Sequence, residues 1–168
     1  MSHKAFLFDW NRFQQELAAL LGSCLESDDP ASLVAYANDH LDDLKDPYEG
    51  EPLDENWAEQ MENGDIQEVA DYVLTKFYDP TADAGLGDLW VQIENELEAS
   101  DSSALLGDPF SPTMQLFDPG RMGAYFQSPE TCKGSLAILR SRNRDEFTEF
   151  VGLLEQAVRE GKGVYVTF

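Results

Sequence analysis

The sequence predicts an α+β fold, a predominantly helical single domain over residues 1–168 with a small sheet of short strands. Apolar residues recur at helical spacing through most of the chain. Three short segments, at about residues 4–8, 122–127 and 163–168, have the apolar or alternating character of strands. A chain of 168 residues is the usual size of one domain, and no repeat, low-complexity tract or long linker divides it.

Helices are predicted through the first half of the chain. Asp9 can cap a helix over residues 10–21, and Gly22 is expected to end it, since glycine favours the position just past a helix. The other helices expected in this half begin after Asp29-Pro30, across Trp57 and Met61, and after Asp65. The last of them has the clearest apolar stripe, formed by Ile66, Val69, Ala70, Val73, Leu74 and Phe77.

Three more helices are predicted in the second half of the chain. Apolar spacing from Leu86 to Leu97 indicates a helix of about a dozen residues, which a polar segment at 100–103 follows. Ser128-Pro129 can cap a helix of about ten residues, because proline is favoured at the first helical position. The remaining elements expected here are a polar turn over residues 140–144 and a last helix from Phe147 to Gly161.

The strongest compositional feature is acidity. The formal net charge is −22, from 33 acids and 11 bases, and a field of that sign repels nucleic acid and anionic membranes while it attracts basic proteins. Residues 1–120 hold 27 acids and four bases, whereas residues 121–168 hold six acids and seven bases. We therefore expect no direct nucleic-acid or membrane binding, and a basic protein as the partner.

The sequence also predicts a cytoplasmic location. The N-terminal apolar run from Ala5 to Phe8 is far shorter than the apolar region of a signal peptide. No apolar run approaches the ~20 residues that cross a bilayer. Cys24 and Cys132 have neither metal-ligand nor disulfide-framework spacing, so both are expected to be reduced, buried thiols.

No catalytic group, metal site or cofactor is predicted. His3 is expected to lie on a mobile terminus, and His40 on a solvated acidic helix face rather than in a metal site with Asp39 and Asp43. Gly85-Leu86-Gly87 lacks the third glycine and the preceding strand of a dinucleotide-binding loop. Close pairs of carboxylates carry little information in a chain with 33 acids.

Two regions are candidate binding surfaces. Residues 26–62 hold 13 acids and one base, interleaved with aromatic residues, and charge speeds encounter while buried aromatics supply affinity. The partner-binding residues expected on this surface are Tyr36, Asp39, Asp42, Asp43, Asp46, Tyr48 and Trp57. In the second region, Asp118-Pro119-Gly120 predicts a turn. Asp118, Arg121 and Tyr125 could line a small pocket there, with a purely structural loop as the alternative.

Residues 65–168 resemble the YfbM-like family of small bacterial proteins, whose function is not established. The motifs that carry the resemblance are Leu86 to Leu97 with Trp90, the Leu105-Leu106-Gly107 step, Gly123-Ala-Tyr-Phe-Gln-Ser-Pro-Glu130, and Gly161-Lys-Gly163. The resemblance implies an α+β domain and transfers no site residue. Small size and acidity also give the chain a general similarity to bacterial immunity proteins, which cover the active sites of toxins.

Three functional hypotheses follow from the sequence. The leading one is a non-catalytic, immunity-type inhibitor that neutralises a basic toxin or effector through its acidic face. The first alternative is a DNA mimic that occupies a nucleic-acid-binding protein, with carboxylates in place of phosphates. The second alternative is a small-ligand protein or enzyme that uses the loop around Asp118, Arg121 and Tyr125.

Overall fold

The computed structural model describes residues 1–168 and shows an α+β fold with a four-stranded antiparallel sheet. The strands are β1 (Lys4–Phe8), β2 (Asp108–Pro109), β3 (Ala124–Gln127) and β4 (Gly163–Thr167), in the order β1-β4-β3-β2. The three strands expected from the sequence are confirmed, and β2 is an addition that the sequence did not predict. Lys4 lies opposite Thr167, so the two ends of the chain pair directly with each other.

Eight α-helices pack around this sheet. They are α1 (Trp10–Glu16), α2 (Ala18–Ser27), α3 (Ala31–Asp39), α4 (Ile66–Leu74), α5 (Leu89–Ile93), α6 (Ala99–Leu106), α7 (Pro129–Arg142) and α8 (Thr148–Glu160). Short 3₁₀ turns also occur, including one over Leu41–Asp43 after α3 and a separate one over Trp57–Gln60 between α3 and α4. No helix has both the length and the apolar character that crossing a bilayer requires.

The sheet is the middle of three layers. Successive strand residues point to opposite faces of a sheet, and here they divide between two hydrophobic cores. Phe8, Phe126 and Tyr165 join the core formed with α1 to α4, whereas Val164 and Val166 join the core formed with α5 to α8. The helical layer on the first face spans residues 10–77 and carries 17 acids against three bases. The acids that are concentrated in one part of the sequence are therefore also concentrated on one side of the sheet.

The prediction of one helix over residues 10–21 is wrong in two respects, because the segment forms two helices and the second one ends later than expected. Leu17 adopts φ −128° and separates α1 from α2, and α2 then continues through Gly22 to Ser27. Gly22 is buried, and a Cβ atom on it would lie 2.8 Å from Cγ of Pro112. The glycine serves close packing of the loop at Pro112, and the helix ends instead at Asp28, in the left-handed conformation.

The segment 100–103 is helical and not a polar exit. The helix expected from Leu86 to Leu97 is reduced to α5 and a 3₁₀ turn over Glu94–Glu96, and α6 begins at Ala99. Asp101 of α6 is only 5% exposed, because Nε of Arg142 donates to its Oδ1 at 2.7 Å. Helix α7 runs to Arg142, into the expected polar turn, and ends where Asn143 adopts the left-handed conformation.

His3 is completely buried, so the expectation of a mobile terminus there is wrong. The backbone N–H of Leu86 donates to Nδ1 at 3.1 Å, and the Nε2 atom lies 3.0 Å from the carbonyl oxygen of Leu105. The ring also stacks on Trp90, with ring centroids 5.1 Å apart. These contacts require the neutral ring with its proton on Nε2, and they connect the start of β1 to the loop before α5 and to the last turn of α6.

We expect acidification to destabilise the protein through His3. Burial lowers the pKa of His3 below its ordinary value of 6.5. As the pH falls through about 6.5, the unfolded chain binds a proton on His3 that the folded chain does not, so the free energy of unfolding decreases. Urea denaturation of wild type and His3→Gln between pH 8 and 5 measures this. The difference in the free energy of unfolding between wild type and His3→Gln should shrink on acidification. A difference that stays constant with pH would contradict the prediction.

Candidate functional site

The acids of residues 26–62 form a surface without compensating bases, which we call the acidic face. Twelve of its 13 acids are exposed. None of the 13 takes part in the protein's eight ion pairs, which use acids elsewhere in the chain. The single base of this segment, Lys45, pairs with Asp79 at 3.3 Å, outside the face. The negative charge of the face is therefore available to a partner.

The four predicted aspartates differ in their local roles. Asp39, Asp42 and Asp43 lie at the end of α3 and in the following 3₁₀ turn, where all three are exposed. Asp46 has a structural task, because its Oδ1 accepts the backbone N–H groups of Tyr48 at 2.7 Å and of Glu49 at 2.8 Å. Its Oδ2 also accepts from a tyrosine hydroxyl of α4. The first three are thus the aspartates that a partner can engage without disturbing the loop.

Of the three predicted aromatic residues, only Tyr48 is strongly exposed, at 69%. Tyr36 is half-buried, stacks on His40 with ring centroids 4.1 Å apart, and accepts a hydrogen bond from Nζ of Lys76. Trp57 is 1% exposed, and its indole N–H donates to Oδ1 of Asn38 at 3.0 Å. Trp57 belongs to the core and must be removed from the predicted surface.

His40 is held by its own helix. Its Nδ1 lies 2.7 Å from the carbonyl oxygen of Tyr36, one turn earlier. Nowhere does the structure bring three His, Cys, Asp or Glu side chains together as a metal site would need. The arrangement of His40 with Asp39 and Asp43 is that of a helix end facing solvent.

None of the five main cavities of the structure brings Asp118, Arg121 and Tyr125 together. Asp118 closes its own turn, since its Oδ1 accepts the backbone N–H of Gly123 at 2.9 Å. Tyr125 packs towards Phe168, with ring centroids 6.4 Å apart. Arg121 alone lines a larger cavity of about 620 Å³, bordered also by Tyr48, Gln60, Glu62, Asn63, Asp65, Gln67, Glu68, Tyr72 and Pro119. The structural-loop alternative therefore describes Asp118 and Tyr125 better.

The most acidic wall of that larger cavity is part of the scaffold. The carboxylate of Glu68 accepts the backbone N–H groups of Glu62, Asn63 and Gly64 at 2.7 to 2.8 Å. Asp65 in turn caps α4 by accepting the N–H of Glu68. These two acids shape the cavity and are not free to act as an acid–base pair.

Sequence analysis missed Asp71, a buried carboxyl group on α4. Asp71 is 7% exposed, and burial raises its pKa to about 7. Helical periodicity places it outside the apolar stripe, but every residue from Val69 to Thr75 is buried. One signal was present, because Asp71 is the single charged residue in that run. A charge on a helix that is otherwise apolar on all sides indicates a special environment.

Both cysteines are buried and free, as expected. Cys24 belongs to the core on one face of the sheet and Cys132 to the core on the other, so the sheet separates them. Burial raises the pKa of the Cys132 thiol to about 12, which disfavours the nucleophilic thiolate form.

Comparison of the chain with protein-family models, with curated proteins and with solved structures finds no match in any of the three. The resemblance of residues 65–168 to the YfbM-like family stays a prediction.

Proposed function

We propose that this chain is a non-catalytic binding protein, an immunity-type inhibitor that neutralises a basic toxin or effector through the acidic face. The observation that supports the proposal best is the absence of ion pairs among the 13 acids of residues 26–62, although the chain forms eight ion pairs elsewhere. A protein that needed charge only for solubility would have no reason to keep its bases away from one segment.

Unpaired, exposed carboxylates contribute mainly to the rate of association. Complementary charge raises association rates above the roughly 10⁵–10⁶ M⁻¹s⁻¹ of uncharged pairs, and salt weakens the effect. Tyr48 supplies an exposed aromatic ring in the same segment, of the kind that contributes affinity at the centre of an interface. The proposal includes a cytoplasmic location, which two free cysteines support.

Neutralising three aspartates of the acidic face should slow association with the partner. We expect wild-type bait to enrich one basic protein from a lysate of the native host, and high salt to release it. The triple variant Asp39→Asn, Asp42→Asn, Asp43→Asn should slow association with that protein by about tenfold or more at low salt, because encounter depends on these charges. Mass spectrometry identifies the partner, and surface plasmon resonance at several salt concentrations measures the rate. Asp46 is left intact, because its carboxylate holds its own loop.

The matched control removes three exposed acids from elsewhere on the protein. Asp88→Asn, Glu96→Gln and Glu160→Gln change the net charge equally, and none of the three forms an ion pair. This variant should keep most of the association rate. Equal slowing by both triple variants would mean that the association rate depends on net charge and not on the acidic face. Failure to enrich any basic protein from the lysate would count against the proposed function.

The same experiment distinguishes an inhibitor of a toxin from a DNA mimic. If the enriched protein binds nucleic acid and duplex DNA displaces it from the acidic face, the chain occupies a nucleic-acid site. An enriched toxin whose activity is lost on binding, without competition by DNA, supports the immunity-type role.

A further inference from the structure

Asp71 lies in an unusual setting for a carboxyl group. It lines a small cavity of about 50 Å³ at the edge of the acidic face, where α4 meets the loops at Tyr48 and Pro119. It is 7% exposed and forms none of the eight ion pairs. The side chain of Tyr48 lines the same cavity. A buried carboxylate without a cation is costly, so the cavity favours a positively charged occupant.

The walls of this cavity suit an organic cation. The lining residues with aromatic rings are Phe6, Tyr48, Tyr78 and Phe168, and Pro47 and Pro119 complete the apolar part. Aromatic rings attract cations, and a guanidinium group stacks on them readily because it is planar and more weakly hydrated than an ammonium group. Carboxylate and aromatic walls together are therefore selective for a cationic group over a neutral one.

The size of the cavity restricts the occupant. A single water needs roughly 10–15 Å³ of such volume, so a cavity of about 50 Å³ admits about four non-hydrogen atoms. A guanidinium group has that size, is planar, and carries five N–H donors in a fixed arrangement. Lys4 also lines the cavity and its charge favours the ionised form of Asp71, but Lys4 is exposed and takes part in none of the eight ion pairs.

We propose that this cavity binds the guanidinium group of an arginine side chain that the basic partner presents, with Asp71 as the anion and Tyr48 as the covering ring. This inference rests on the proposed function, since it specifies how the partner is anchored. The acidic face steers the partner towards the site, and the buried arginine holds it, which is the usual division between charged rim and central anchor.

Short peptides test the cavity without the natural partner. The probes are acetyl-Gly-Arg-Gly-amide and the same peptide with citrulline, which has the shape of arginine but no charge. Two-dimensional NMR titration of the full chain should show saturable shifts with the arginine peptide and binding about tenfold or more weaker with citrulline. Asp71→Asn should lose the preference for arginine over citrulline, and Tyr48→Ala should weaken arginine binding severalfold.

The control variant is Asp88→Asn, which removes one exposed acid on the opposite layer and should leave peptide binding unchanged. Thermal melting of each variant confirms that it is folded. The same preference for arginine in Asp71→Asn, or equal binding of the two peptides to wild type, would overturn the cavity proposal. A lysine peptide that binds as well as arginine would contradict the guanidinium assignment.

The outcome separates this inference from the proposed function. The triple variant at Asp39, Asp42 and Asp43 should keep the arginine preference, because those residues do not line the cavity. If that variant loses the natural partner while Asp71→Asn keeps it with unchanged affinity, the acidic face is the binding site and the arginine anchor is wrong.

Discussion

Replacing Trp57 by alanine is expected to lower the free energy of unfolding by about 3–5 kcal/mol. The indole is 1% exposed, packs against Tyr72 with ring centroids 5.8 Å apart, and donates its N–H to Asn38. Truncation would leave a large cavity in the core beneath the acidic face. Urea denaturation followed by circular dichroism measures the loss.

Two control variants separate burial from surface exposure. Trp57→Phe keeps an aromatic ring and should lose less stability than the alanine variant, because it removes the hydrogen bond and only part of the volume. Tyr48→Ala, at an aromatic residue of the same segment that is 69% exposed, should change the free energy of unfolding by less than about 1 kcal/mol. Similar small effects at Trp57 and Tyr48 would place the tryptophan at the surface and restore it to the binding face.

The fold was largely predictable because hydrophobic periodicity reports which face of an element is buried. β1 and β4 and most helices follow from it, including α4 with its cap at Asp65. Periodicity failed where a distant residue decides the local structure. Gly22 lies inside a helix with Pro112 packed close to it, and Asp101 lies in a helix where it is buried in an ion pair with Arg142.

The sequence predicted the negative charge of the candidate site better than it predicted which side chains are exposed there. Composition located the acidic segment, and the structure adds that Asp39, Asp42 and Asp43 are exposed. Composition could not show that Trp57 faces inward, because a tryptophan among acids is equally compatible with a core and with an interface. Nor could it place Asp71 beside Tyr48, since the two are brought together only by the loop that Asp46 holds.

Under the proposed function, the position of Asp71 connects the stability of the free protein with partner binding. Natural proteins retain a buried, uncompensated charge only rarely, because the folded state must bear its desolvation. Where such a charge lies at the edge of a binding surface, the binding partner can provide the compensation that the chain itself lacks. Loss of stability in the free protein then corresponds to gain of affinity in the complex.

Asp71→Asn is therefore expected to stabilise the free protein at pH 8 by about 2–4 kcal/mol. Burial raises the pKa of Asp71 from 3.8 to about 7. The folded chain consequently keeps a proton that the unfolded chain releases near pH 4, so stability of the wild type falls as the pH rises from about 4 to 7 and is constant above. Each unit of pKa difference between the folded and unfolded chain corresponds to about 1.4 kcal/mol of stability. The Asp71→Asn variant does not lose this stability, because asparagine does not ionise.

The pH profile of the difference between wild type and Asp71→Asn is the decisive measurement. Urea denaturation should give nearly equal stabilities at pH 4 and a growing advantage for Asp71→Asn up to pH 8. His3 acts with the opposite sign below pH 6.5, but it is present in both proteins and cancels in the difference. A variant that is less stable than wild type at pH 8 would mean that Lys4 already neutralises Asp71 in the folded chain, and the cavity would then have no need of a partner's arginine.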